Sequence, residues 1–242
     1  MSLIRAFFMC LGMFTSIPCP YRPWDEDARG WMLAMLPAVG LLVGLLWAGF
    51  GWLGRWLLPG IAPALTAALP WLLTGFIHLD GYMDTCDAML SWRPLERRLE
   101  ILKDSHTGAY AVVGLGILLL FSHDAAGGVA DLRPLIFIPI VSRCGSALAV
   151  LCLKPIGHSE YARMAGQNPQ RATVLVLWLL STAACALWLG RPAVALLIET
   201  AAYALSMTWV YRALQGVSGD LAGFALTVSE CAALIALTGL GG

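Results

Sequence analysis

Charged residues are scarce in this sequence. Lys, Arg, Asp and Glu make up 12% of the 242 residues, about half the ~25% usual in a soluble domain. The 15 basic and 15 acidic residues cancel to a formal net charge of zero, so no overall field attracts nucleic acid. The longest polar stretches, 80–108 and 154–171, are too short to bury a core of their own. These absences argue against a soluble nucleic-acid-binding protein and predict a single polytopic membrane domain over residues 1–242.

The cysteines show no disulfide framework. None of the seven forms a CxxC pair, and several lie inside apolar runs, where a thiol behaves as a small hydrophobe. A clear internal repeat is also missing, although many secondary transporters show paired halves. This weakens the case for a transporter without excluding one.

Long apolar runs are what the sequence has in place of charge. Hydrophobic residues make up 59% of the chain, mean hydropathy is +0.76, and the runs are about twenty residues long, as membrane spans require. The sequence therefore predicts an all-α bundle of about seven transmembrane helices, and its glycine-rich spans favour a homo-oligomer. The predicted spans are 31–51, 61–79, 109–123, 134–153, 172–190, 193–213 and 221–240, of which the third is the shortest.

Two further helices are predicted outside the spans. Residues 3–17 are apolar but too few to cross a bilayer, and they lack a signal-peptide cleavage pattern. We therefore expect a retained interfacial or re-entrant helix at the N-terminus. Near 94–104, leucines alternate with charged residues, which predicts an amphipathic helix at the cytoplasmic membrane surface.

The basic residues fix the predicted orientation. If the N-terminus is cytoplasmic, eleven lie inside, three lie outside, and Arg143 lies within a span. This positive-inside bias places the loops after spans two, four and six in the cytoplasm. The inside set is Arg5, Arg22, Arg29, Arg93, Arg97, Arg98, Lys103, Lys154, Arg163, Arg171 and Arg212; the outside set is Arg55, Arg133 and Arg191.

An acidic run follows the second predicted span. Asp80, Asp84 and Asp87 are spaced i, i+4 and i+7, so they fall within about 60° of one another on a helix. No basic residue lies between Arg55 and Arg93 to balance them. Poorly solvated carboxylates on one face repel one another, so a cation is their natural partner, and oxygen ligands favour Mg²⁺ or Mn²⁺. The alternative is a solvated cytoplasmic loop.

A second polar cluster precedes the third span. Lys103, Asp104, Ser105 and His106 lie together just before Gly108. They offer a cation, a fourth carboxylate and hydrogen-bond donors, a combination that suits a phosphate with a bound metal.

Ionisable residues inside the spans are expected to be paired or functional. Arg143 could pair with Glu199 or Glu230, clamp an anion, or do both. Asp220 could cap the last helix or reach the metal site. His78 lies about 160° from Asp80 around a helix, which favours a packing or supporting role.

The loop after the fourth span is basic as well. It could steer an anionic substrate or only satisfy the positive-inside bias. Its residues are Lys154, His158, Tyr161 and Arg163.

Seven segments occur in the order and at similar spacing to those of one known family: FTSIPCP, LPAVGLLVG, HLDGYMDTCDA, RRLEILKDSHTGAY, VSRCG, EYARMAG and GVSGD. They resemble the cobalamin synthase family, the adenosylcobinamide-GDP ribazoletransferases, over nearly the whole chain. The resemblance implies that a ribose hydroxyl of α-ribazole, or of its 5′-phosphate, attacks the cobinamide-bound phosphate of adenosylcobinamide-GDP and expels GMP. It also implies Mg²⁺ as cofactor and a bacterial or archaeal cytoplasmic membrane, with membrane lipid as a further partner.

The resemblance also implies residue roles. Asp80, Asp84, Asp87 and Asp104 look like metal ligands, one of them doubling as base, and Lys103, Ser105, Arg143 and Asp220 look like substrate contacts or their supports. Three positions depart from the family pattern, namely Ala88, His106 and Ala111.

Two other functions remain open. A CDP-alcohol phosphotransferase would share the acidic surface chemistry, but its full motif is not matched here. A cation- or proton-coupled transporter could use the aspartates and Glu199 as an ion path, but its acids should lie near the bilayer midplane.

Overall fold

The structure, a computed structural model, describes residues 2–19, 25–156 and 168–240. They form eleven α-helices and one 3-10 turn, at residues 133–136. The helices are α1 (Ser2–Phe14), α2 (Glu26–Arg29), α3 (Met32–Leu57), α4 (Ala62–Leu73), α5 (Ile77–Leu90), α6 (Leu95–Ile101), α7 (Ala109–Gly128), α8 (Ile138–Cys152), α9 (Asn168–Leu189), α10 (Ala193–Leu214) and α11 (Gly219–Leu240). The predicted all-α membrane bundle is confirmed.

Among the described residues, six helical segments are long and apolar enough to cross a membrane, or seven if the bent pair α4 and α5 crosses as one broken span. The six are α3, α7, the 3-10 turn with α8, α9, α10 and α11. The third predicted span was drawn too short, because α7 has 20 residues and continues through the polar run Ser122–Asp124. Burial of Ser122, whose hydroxyl lies 3.5 Å from Sγ of Cys231, removes one of these polar groups from lipid.

The second predicted span, 61–79, is wrong as a single helix. The chain breaks between α4 and α5, and the two parts are bent by 93°. Gly75 (φ +60°) and Phe76 (φ +63°) adopt the left-handed backbone that ends one helix and redirects the next. The 12 residues of α4 reach only about 18 Å, against a hydrocarbon core of about 30 Å. The acidic run therefore lies on a separate helix.

The two helices predicted outside the spans are present. α1 packs on α3 and is too short to span; its place relative to the bilayer stays a prediction. The amphipathic helix is α6, which is shorter than the expected 94–104. Its residues Leu95, Leu99 and Ile101 pack partly buried against a hydrophobic core that includes residues of α5, α10 and α11.

Helices α3 and α8 cross at backbone contact. A Cβ added at Gly40 would lie 2.2 Å from the carbonyl oxygen of Pro139, and one at Gly44 would lie 2.2 Å from that of Ile136. Only glycine allows so close an approach. The contact holds α8, and with it Arg143, against the first span.

Gly44→Ala should destabilise the protein by about 1–3 kcal/mol, because the helices must separate to admit the methyl group. Gly49→Ala is the matched control on the same helix, since nothing lies within 4 Å of its added Cβ. There the better helix propensity of alanine should leave stability unchanged or slightly higher. Thermal unfolding in detergent measures both. Equal midpoints for the two variants would contradict the close crossing.

Candidate active site

The acidic helix meets the last helix at backbone distance. A Cβ added at Gly81 would lie 2.7 Å from Cα of Asp220, and one at Gly223 would lie 3.2 Å from the carbonyl oxygen of His78. Glycine on each helix therefore lets α5 and α11 touch. Because Gly81 lies between Asp80 and Asp84 in the first turns of α5, the crossing brings Asp220 beside them.

Four carboxylates consequently share one region of charge. The charge of Asp84 interacts with those of Asp80, Asp220 and Asp87, and the charge of Asp220 interacts with that of Asp80. Asp80 is exposed, whereas Asp84 and Asp220 are partly buried. Like charges this close repel one another and favour a cation. The sequence left Asp220 between a helix cap and the metal site, and the structure places it beside the acidic face.

The Asp87 carboxylate makes hydrogen bonds to the start of α7. Asp87 is 8% exposed, and its Oδ2 accepts a hydrogen bond from the Gly108 backbone N–H (2.6 Å) and its Oδ1 one from Ala111 N–H (2.9 Å). These are donors that the start of α7 leaves without helical partners. A Cβ at position 108 would lie 2.6 Å from the Asp87 carboxylate, so glycine is needed there. Asp87 therefore fastens α7 to α5, and its role as a metal ligand stays a prediction.

Asp87→Asn should lower stability by about 1–3 kcal/mol, because the amide NH₂ would face a backbone donor and leave it without an acceptor. Asp124→Asn is the control, an exposed aspartate near the other end of α7. The measurement is the thermal unfolding midpoint of each variant in detergent. An Asp87 variant as stable as the control would show that the carboxylate does not anchor α7.

A groove of about 750 Å³ opens beside Asp87, along α6 and the start of α7. Its polar lining includes two guanidinium groups, Arg93 and Arg97, although Arg97 also donates to Glu100 (2.6 Å). Neither arginine was predicted as a site residue, because Arg97 was expected on the amphipathic surface helix and Arg93 only among the cytoplasmic basic residues. The remaining lining residues are Ser91, Pro94, Ile101, Asp104, His106, Thr107, Gly108, Ala109 and Tyr110.

The predicted cluster before α7 is only partly in this groove. Asp104 and His106 line it, and Oδ1 of Asp104 lies 2.7 Å from Nδ1 of His106. This hydrogen bond lowers the pKa of Asp104. Lys103 and Ser105 are exposed and lie outside the lining. In the part of the chain that the structure describes, the carboxylates acting on Asp84 do not include Asp104.

Arg143 makes an ion pair inside the bundle. It is 1% exposed, and its Nη1 donates to Oε1 of Glu230 at 2.9 Å, while the Ser142 hydroxyl donates to the same oxygen at 2.8 Å. Of the two predicted partners, Glu230 rather than Glu199 makes the salt bridge. Nε and Nη2 of Arg143 have no hydrogen-bond partner among the described residues, so the anion-clamp prediction is left open.

A small cavity of about 110 Å³ lies behind the acidic helix. Arg143, His78 and Asp220 all line it. His78 is buried and stacks on Phe14, with ring centroids 6.3 Å apart and 11° between the planes. This position agrees with the predicted packing or supporting role.

Of the basic loop after α8, only Lys154 is described. Its carbonyl oxygen accepts a hydrogen bond from Val217 N–H at 2.9 Å, which joins the ends of α8 and α10 just before α11. His158, Tyr161 and Arg163 lie outside the described residues.

The carboxylates are the type of ligand that a divalent cation prefers, but they are not arranged as a closed coordination shell. Within residues 2–19, 25–156 and 168–240, no group of three or more His, Cys, Asp or Glu side chains is arranged to hold a metal. Mg²⁺ is usually held by one or two carboxylates together with waters and substrate phosphates. Asp80, Asp84 and Asp220, which are all accessible to solvent, fit such an open site.

Comparison with known proteins gives one consistent result. The family model described as cobalamin-5-phosphate synthase matches residues 6–238. An adenosylcobinamide-GDP ribazoletransferase of Clostridium botulinum (strain Alaska E43 / Type E3) is 37% identical, covering 96% of each chain. Proteins with the same name from Clostridium perfringens (strain SM101 / Type A), 33% identical over 96% of this chain and 97% of the relative, and Stutzerimonas stutzeri (strain A1501), 34% identical over 95% and 96%, also match. No solved structure matches the chain.

Proposed function

The chain belongs to the cobalamin-5-phosphate synthase family, and we propose that it joins adenosylcobinamide-GDP with α-ribazole or its 5′-phosphate and releases GMP. It is a multi-pass membrane transferase. The observation that carries the proposal is the match over residues 6–238, together with relatives, one of them 37% identical, that are named adenosylcobinamide-GDP ribazoletransferase.

In the proposed reaction, the ribose hydroxyl oxygen forms a bond to the cobinamide-bound phosphorus, the bond from that phosphorus to the bridging oxygen breaks, and GMP leaves with the bridging oxygen. This reaction needs three things from the protein. A base must take the hydroxyl proton, the phosphates must be held in line, and their charge must be neutralised.

Asp80, Asp84 and Asp220 would hold Mg²⁺ in this proposal. When bound, the ion supplies neutralisation of the diphosphate charge. The same carboxylates are the candidates for the base, since one that does not ligate the metal can accept the hydroxyl proton. Their mutual electrostatic interaction supports this grouping.

The groove beside Asp87 would receive a phosphate-bearing substrate. Arg93 and Arg97 are its guanidinium groups, and Tyr110 offers an aromatic ring, 47% exposed, at the same opening. Guanidinium groups bind phosphate oxygens in a bidentate manner. Lys103 and Ser105 could take part only by reaching into the groove from outside its lining.

Arg97→Gln should raise KM for adenosylcobinamide-GDP about tenfold or more, because each charged hydrogen bond contributes roughly 1.5–3 kcal/mol. Lys103→Gln should have a smaller effect, because Lys103 does not line the groove. Arg212→Gln is the control, an exposed basic residue at the end of α10. Steady-state kinetics of the three variants separates the groove from the neighbouring loop. A larger effect at Lys103 than at Arg97 would place the phosphate site at the loop that carries Lys103 rather than in the groove.

We also propose that the site faces the cytoplasm of a bacterium or archaeon. The positive-inside bias supports this orientation. Lys154 belongs to the predicted cytoplasmic set, and its carbonyl oxygen accepts a hydrogen bond from Val217 N–H, just before α11 begins beside the site.

The direct test supplies purified protein in lipid with Mg²⁺, adenosylcobinamide-GDP and α-ribazole phosphate. The expected products are GMP and a cobamide, and reactions without Mg²⁺ should release no GMP. A sample lacking the ribazole controls for simple hydrolysis. Absence of GMP from the complete mixture would overturn the proposal. A CDP-alcohol substrate offered in parallel tests the remaining phosphotransferase alternative.

A further inference from the structure

The break between α4 and α5 exposes backbone groups that need partners. A helix leaves its last four carbonyl groups without helical donors, and at membrane depth such groups must be satisfied within the protein. The Thr74 hydroxyl donates to the Pro70 carbonyl oxygen at 2.8 Å, and Gly75 N–H donates to that of Leu72 at 3.2 Å. Phe76 N–H also donates to the Trp71 carbonyl oxygen at 2.9 Å. Among the described residues, the Leu73 carbonyl is thus the group of this last turn that receives no bond from the break itself and needs a partner from elsewhere.

The segment that follows α1 supplies that support. The Ser16 hydroxyl lies 2.6 Å from the Leu72 carbonyl oxygen and 3.2 Å from that of Leu73, and Ser16 N–H donates to Leu73 at 2.9 Å. A Cβ added at Gly75 would lie 3.5 Å from Cβ of Ser16. Ser16 is therefore in contact with both the end of α4 and the turn that follows it.

The same segment also touches the other side of the break. Phe14, the last residue of α1, stacks on His78 in the first turn of α5. Thr15 lies between the two contacts, and its hydroxyl donates to the Leu11 carbonyl oxygen at 2.7 Å. Residues 14–16 thus bind α4 through Ser16 and α5 through Phe14. The segment is anchored by α1, whose buried Met9 and Cys10 pack into the core.

We propose that residues Phe14–Ser16 act as a splint across the α4–α5 break, and that Ser16 is a positioning residue for the acidic helix. By fixing the direction in which α5 leaves the break, the splint sets the spacing between the pair Asp80 and Asp84 and the facing Asp220. The catalytic consequence rests on the proposed function, whereas the splint itself does not.

The angle at the α4–α5 break matters because a small rotation there displaces residues farther along α5. Asp84 lies eight residues beyond Phe76, about 12 Å along a helix, so a change of 10° at the break would move it by roughly 2 Å. Metal-ligand distances tolerate only about ±0.2 Å. The backbone contact at Gly81 limits this movement from the α11 side, and the splint limits it from the α4 side.

The test compares Ser16→Ala with Ser16→Thr, which keeps the hydroxyl. Ser206→Ala is the control, since the Ser206 hydroxyl donates to two carbonyl oxygens of its own helix, those of Ala202 (2.7 Å) and Tyr203 (3.1 Å). Hydrogen exchange is measured over residues 72–84 in detergent, Mn²⁺ binding is measured by electron paramagnetic resonance without substrate, and kcat and KM are measured with Mg²⁺.

Ser16→Ala should speed exchange around the break and weaken Mn²⁺ binding and lower kcat, each about tenfold, as loss of a supporting contact to metal ligands does. Ser16→Thr should restore all three, and Ser206→Ala should change none. Unchanged exchange in Ser16→Ala would overturn the splint. Faster exchange with unchanged Mn²⁺ affinity and kcat would overturn the positioning role. Wild-type protein that binds no Mn²⁺ and shows no Mg²⁺-dependent turnover would refute the proposed metal site and the positioning role together, and exchange would still decide the splint.

Discussion

Asp84→Asn should lower the rate of GMP release roughly 10³-fold or more, the loss expected when a group that stabilises transition-state charge is removed. Asp84 is the carboxylate whose charge interacts with all three of the others, Asp80, Asp87 and Asp220. Neutralising it removes the centre of the negative region that attracts the cation. The amide keeps the size of the side chain, so the helix and its contacts should persist.

Stability separates this result from misfolding. Since like charges surround Asp84, its neutralisation should leave the thermal midpoint unchanged or raise it slightly. Asp124→Asn, an exposed change near the far end of α7, should retain wild-type turnover. Mn²⁺ binding of the Asp84 variant should be weaker than that of wild type. Near-normal turnover in Asp84→Asn would remove Asp84 from the metal site.

Arg143→Met should produce the largest loss of stability. The substitution leaves Glu230 buried without its cation, which costs about 3–5 kcal/mol, or roughly 10 °C in the unfolding midpoint of a chain of this size. The double variant Arg143→Met/Glu230→Leu removes both charges and should recover most of that loss. Thermal unfolding in detergent and the yield of folded protein measure both changes. A single variant as stable as wild type would show that the pair is dispensable.

Activity of the double variant then decides between the two roles of Arg143. The Nε and Nη2 atoms of Arg143, which have no partner among the described residues, and the small cavity shared with Asp220 favour a contact with substrate. A folded double variant with normal KM and kcat would reduce Arg143 to a structural pair. A folded double variant with a raised KM would support the anion clamp.

The sequence predicted those helices whose presence follows from apolar composition and length. Apolar runs of about twenty residues identified the six long helical segments. The break at Gly75 and Phe76 was missed because hydropathy does not change there, and it is the backbone conformation that ends the helix. The length of α7 was missed for the opposite reason, because polar residues at 122–124 are tolerated inside a bundle.

The candidate site was predictable within each segment but not between segments. The spacing of Asp80 and Asp84 placed them on one face, since helical periodicity is local. Their neighbour Asp220 is more than 130 positions away in the sequence, which left it between a helix cap and the metal site until the Gly81 contact placed it. The cap that Asp87 provides depends likewise on where α7 begins. Arg97 was visible as a charge but not as groove lining, because the groove forms only when α6 folds back toward α7.

The crossing of α5 with α11 has a consequence for how the protein is made. The last residue of α5 precedes the first residue of α11 by 129 positions, so a ribosome working at about 5–20 residues per second needs roughly 6–26 s to supply the partner helix. During that interval the acidic helix lacks the surface of α11, although α1 and α7 can already pack against it. Its carboxylates stay hydrated at the headgroup layer, which keeps this part of the chain at the water boundary until the final helix is inserted. A truncation before residue 219 should therefore yield a membrane-inserted chain that never assembles its catalytic face.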